Sequence, residues 1–116
     1  MTSTLHDNIE TIESGYEYLL AYAAQGRESD EGPGGGEARS RLTAMAEAAA
    51  AIADSLADDE LEFYRVVVDD ARKAGAAISL VLSQEKISSE LVDNLNASIH
   101  LRALLTDLFL LSETVA

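Results

Sequence analysis

Cysteine and tryptophan are absent from this chain, proline occurs only at Pro33, and lysine only at Lys73 and Lys86. Without thiols there are no disulfides, no thiolate metal sites and no cysteine nucleophile, and a reducing, cytoplasmic setting is the expectation. A single proline in 116 residues, with few β-branched runs, removes the usual obstacles to helix and points to an all-α fold. Positive charge is equally scarce: eight Lys and Arg stand against 21 Asp and Glu, a formal net charge of −13. Phosphate backbones and anionic lipid surfaces repel such a chain, so neither nucleic-acid nor membrane binding is expected. The opening "MTSTLHDNIETIE" has no basic stretch ahead of an apolar core, which predicts no secretory signal. The apolar run "LRALLTDLFLL" at 101–111 is too short to span a bilayer and carries Arg102 and Asp107.

What is present is a helical pattern. At 47% apolar content the chain can build a core, and its length suits one domain over 1–116. Leu5, Ile9, Ile12, Tyr16, Leu19 and Ala23 recur in steps of four and three, the spacing of one helix face. Gly26 suits a helix end, and Gly32, Pro33, Gly34, Gly35 and Gly36 predict a flexible connector over about 27–36. A second stripe, Leu42, Met45, Ala49, Ile52 and Leu56, lies in an Ala-rich stretch suited to close helix approach. The third series, Leu61, Tyr64, Val68, Ala71, Gly75, Ile78 and Leu82, is out of phase with it. Two readings stay open there: a turn near Asp58, where Asp58, Asp59, Glu60 and Glu62 favour a new helix N-terminus, or one continuous helix that changes face. In "SQEKISSELV", Ser88 predicts an N-cap, with Ile87 and Val92 as a hydrophobic staple, and a last helix over about 89–113. The expected fold class is therefore an all-α antiparallel bundle of about four helices, the second and third continuous or broken.

The last helix carries more apolar surface than one bundle position requires. Leu101, Leu104, Leu108 and Leu111 form its core stripe, while Leu105 and Phe109 stand beside it and are expected to face a second copy in a dimer. If the last helix were instead surrounded by the other three, the same surplus would be used internally. Tyr18 and Tyr22, four apart, form a second candidate anchor for a partner.

Motifs for chemistry are sparse. There is no His-Glu-x-x-His, no Gly-x-Ser-x-Gly and no phosphate loop, since "GPGGGE" lacks the following Lys and Ser or Thr. Neither His6 nor His100 has the Glu three residues earlier that ferritin-type di-metal helices require. His6, Glu10, Glu13 and Glu17 share one side of the first helix and are weak candidate metal ligands if a second helix adds donors. His100 is a candidate phospho-acceptor, although Leu101 follows it where histidine kinases carry an acid. The function class expected is a non-catalytic interaction protein, an accessory subunit, assembly factor or inhibitor, needing no cofactor. The alternatives are a metal-binding or metal-dependent bundle using clustered carboxylates, and a His100 phospho-acceptor bundle. The acidity itself fits either solubility in a salty cytoplasm or a face for a basic protein partner.

Overall fold

Apolar steps of three and four set each helix and the side it buries. The computed structural model describes residues 3–114, which form α1 (Ser3–Ala23), α2 (Glu37–Leu56), α3 (Glu62–Leu82), α4 (Ser89–Ala97) and α5 (Ile99–Thr114), with no strand among them. The helices follow one another round the bundle: α1 packs on α2, α2 on α3, α3 on α5, and α4 closes the ring against α1. The result is an elongated body of 45 × 21 × 18 Å. Helices of 20 and 21 residues run about 30 Å, so the short connector between α2 and α3 forces the chain to double back.

The turn between α2 and α3 falls at the out-of-phase acidic stretch. Leu61 is the residue flanking α3, and its N–H donates to Asp59 Oδ1 at 3.1 Å. Close approach of the helices relies on small residues. A Cβ on Gly15 of α1 would come within 2.5 Å of Met45 Cγ and Sδ on α2, so glycine makes room for that methionine. On α3, the core rows Val67, Ala71, Ala74, Ile78 and Val81 lie beside Val68, which lets one helix serve both α2 and α5.

The Gly-rich connector is fastened to the bundle at several points. The Arg39 guanidinium donates to Asp30 Oδ2 at 2.7 Å and to the carbonyls of Leu82, Gln84 and Glu85 at 3.1, 2.8 and 2.9 Å. It thereby satisfies the Leu82 carbonyl at the C-terminal end of α3 and two carbonyls of the turn that follows, where a positive charge also interacts favourably with the helix dipole. Asp30 Oδ1 accepts the Ile87 N–H at 3.0 Å. Burial works to raise the Asp30 pKa, but the hydrogen bonds from Ile87 and Arg39 and the Arg39 charge outweigh it and hold the carboxyl below its ordinary range. Gly34, with φ +84, supplies a left-handed turn beside the Arg27 guanidinium, which donates to the Pro33 carbonyl.

The fourth bundle position is filled by two helices where the sequence pattern predicts one. Ser88 caps α4 as expected, accepting the Leu91 N–H at 3.0 Å, and Ile87 and Val92 are both fully buried. At Ser98, however, the backbone turns extended (φ −62, ψ 141), and its Oγ accepts the Leu101 N–H at 3.4 Å to start α5. The anchor on the α4 side is Asn96, whose Nδ2 donates to the Leu19 carbonyl at 3.1 Å. The break lets α4 pack mainly on α1 while α5 packs mainly on α3.

Candidate interaction surfaces

Charge is divided between two sides of the bundle. Helix α1 carries Asp7, Glu10, Glu13 and Glu17 and no Lys or Arg, and its neighbour α4 adds Glu90 and Asp93, again with no cation. On the other side, α3 balances Glu62, Asp69 and Asp70 with Arg65, Arg72 and Lys73, and α5 sets Arg102 against Asp107 and Glu113. Lys73 pairs with Asp69 at 3.1 Å, whereas Arg65, Arg72 and Arg102 form no ion pair among the described residues.

Apolar exposure follows the same division. On α3, Val66 and Leu80 lie at seven-residue steps from Lys73, turned away from the core row; on α5, Ile99, Ala103, Thr106 and Leu110 share the outward side. Among the described residues, Val66, Leu80 (66% exposed), Ile99 (74%) and Leu110 are thus four of the seven large apolar residues left open to solvent, two on α3 and two on α5. The others are Leu20 on α1, Leu61 at the α2–α3 turn and Phe109.

Between α3 and α5 sits a buried acid. Asp107 is 6% exposed, lies near Asp70 of the facing helix, and leaves Oδ2 without a partner. Burial first, then the neighbouring Asp70 carboxyl, push the Asp107 pKa up to about 8, so the pair retains a proton near neutrality. The sequence pattern contains the signal for this residue: Asp107 lies three residues after Leu104 and four before Leu111, on the edge of the core stripe.

Several expected site residues lie elsewhere than their spacing suggests. Leu101, Leu104, Leu108 and Leu111 are in the core, but so is Leu105, at 5% exposed, so of the pair expected to face a neighbour only Phe109 (53%) is on the surface. Leu105 is part of the core of its own protomer, with the stripe it adjoins. Tyr22 is likewise fully buried and is no surface anchor: its hydroxyl donates to the Ile87 carbonyl at 2.7 Å and its own carbonyl accepts from Ser89 Oγ at 2.8 Å. Ser89 also accepts the Arg27 N–H at 2.8 Å and returns its own N–H to the Arg27 carbonyl at 2.9 Å, which stitches the start of α4 to the end of α1.

Tyr18 is half-buried, with its ring centroid 6.2 Å from that of Tyr22 and the Arg41 guanidinium 5.3 Å over its face. Burial, followed by the Glu37 charge, raises its pKa. Its hydroxyl is enclosed without a hydrogen-bond partner. His6, Glu10 and Glu17 are exposed and Glu13 is half-buried, and among the described residues no three His, Asp or Glu side chains converge as metal ligands. His100 is exposed at the start of α5. No helix among the described residues is long and apolar enough to cross a membrane. Compared with protein-family models, with curated proteins and with solved structures, the chain gives no significant match.

Proposed function

We propose that this chain is a non-catalytic helical interaction protein of the cytoplasm, an accessory subunit, assembly factor or inhibitor, that engages a basic protein partner and self-associates. The observation that carries the reading is the division of charge: the paired helices α1 and α4 present six carboxylates and no Lys or Arg, while α3 and α5 are close to neutral. Like charges at helical spacing, such as Glu10, Glu13 and Glu17, cost the isolated protein a little stability, a cost that a cationic partner reverses. Complementary charge would also speed encounter, so association should weaken as salt rises.

The test compares the tagged full-length protein with a Glu10→Gln, Glu13→Gln, Glu17→Gln variant in capture from native lysate. The expected result is a stoichiometric basic protein retained by the parent at low salt, lost at high salt and lost by the variant. Retention of the same protein by the variant, or failure of the parent to hold any basic partner, overturns the reading.

A further inference from the structure

We infer that the cavity beside the α2–α3 turn, lined by Ala57, Arg65, Val66, Val68, Asp69 and Arg72, binds a small organic carboxylate with an apolar tail. The inference goes beyond the reading above and does not rest on it, because none of these residues belongs to α1 or α4. The cavity measures about 570 Å³, within the roughly 300–1,000 Å³ of small-molecule sites. Two guanidinia line it against one carboxylate, and that carboxylate is taken: Asp69 Oδ2 lies 3.1 Å from Lys73 Nζ. Asp69 stands four residues after Arg65 and three before Arg72, and Glu62 three before Arg65, spacings at which helical ion pairs form. None forms, so in a chain of 21 acids both arginines keep their donor forks free of any carboxylate among the described residues.

Charge and shape together select the occupant. A guanidinium matches a carboxylate through two parallel hydrogen bonds, so the two arginines call for an anion. A polyanion would bring many charges to a chain at −13, whereas a single carboxylate brings one. A bare inorganic anion would leave the apolar part of the lining uncovered, where Val66 is 43% and Val68 8% exposed. Arg72 also lines a second cavity of about 250 Å³ farther along the same two helices, beside Ala46 and Ala50 of α2 and Gly75 of α3. An apolar tail can therefore run past Arg72 toward Gly75 while its carboxylate stays with the guanidinia.

Titration of the full chain with octanoate, followed through its amide NMR shifts, tests this, with 1-octanol as a neutral probe of the same chain length. Octanoate should saturate the parent with a Kd of about 1 mM or tighter, and the largest shifts should fall at Ala57, within 65–72 and at Gly75. The Arg65→Gln, Arg72→Gln variant should bind it at least roughly tenfold more weakly, because each substitution removes a charge-assisted contact. Arg102→Gln, which removes the other unpaired guanidinium, on α5, should bind it as the parent does. 1-Octanol should bind the parent at least roughly tenfold more weakly than octanoate. Absence of saturable shifts up to about 10 mM octanoate, shifts centred elsewhere, or undiminished binding by the double variant overturns the inference. Should that variant lose its helices by circular dichroism, the two probes still decide on the parent alone: equal affinity for octanoate and 1-octanol overturns the role of the arginines.

Discussion

Asp107 occupies the edge of a leucine stripe, where burial makes a negative charge expensive, and the acid across the seam, Asp70, raises that cost further. Folding therefore lifts the Asp107 pKa from the ordinary value near 3.8 to about 8, and the native chain holds a proton that the unfolded chain releases. The stability tied to this proton is complete in acid below about 4, declines as pH rises, and is lost once pH passes the folded value. Asp107→Asn keeps a donor for Asp70 and cannot ionise. Its melting temperature relative to the parent should climb between pH 4 and pH 8, by about 4 °C or more for each kcal/mol recovered. Parallel melting curves for the two proteins across that range would show that the pair shares no proton. Among single residues, Leu101, Leu104, Leu108 and Leu111 are legible in the sequence because four leucines at helical spacing admit only one buried side. Tyr22 and Leu105 are not, because each lies at the border of a stripe, where a modest rotation about the helix axis decides between core and solvent; the place of Asp107 on the stripe's edge is legible, its pairing with Asp70 on another helix is not.

At the scale of elements, the turn between α2 and α3 is readable because an abrupt loss of apolar phase coincides with a run of acids suited to a helix N-terminus. The division of α4 from α5 is not. Ser98 has the chemistry of a cap, but "NASIHL" carries no Gly, Pro or loss of phase, and the bond from Asn96 beside the kink goes to the Leu19 carbonyl, far away in sequence. The connector 27–36 reads as flexible from its glycines, yet Arg39 ties it, through Asp30, to carbonyls at and just beyond the end of α3. Such long-range fastening leaves no local pattern. Arg39→Ala removes four hydrogen bonds from a charged group, at roughly 1.5–3 kcal/mol for the net loss of a charge-assisted contact. Limited proteolysis should then cut within 27–36 several times faster than in the parent, while helical content by circular dichroism holds. Asp30→Asn should give a weaker form of the same effect, since a neutral amide keeps the shape and loses the charge. Unchanged cleavage in both would mean that the connector owes its order to contacts other than this pair.

For the whole molecule the dominant quantity is the excess of 21 acids over eight bases, and it acts chiefly on stability and association. Only three ion pairs join the described residues, and two of them are exposed pairs one helical turn apart, the kind worth a few tenths of a kcal/mol. Screening therefore has little attraction to remove and much repulsion to relieve. The screening length falls from about 10 Å at 0.1 M salt to about 3 Å at 1 M, shorter than the roughly 5–6 Å between side chains one helical turn apart. The melting temperature in sodium chloride should accordingly rise from low to molar salt. The Glu10→Gln, Glu13→Gln, Glu17→Gln variant should start higher and respond less, because part of the repulsion is already gone. Measuring protomer mass alongside separates this effect from tighter dimerisation, which would also raise the melting temperature but would make it depend on protein concentration. A melting temperature that stays level or falls with salt would mean that Arg39 with Asp30, the most enclosed of the ion pairs, outweighs the mutual repulsion of all the remaining carboxylates.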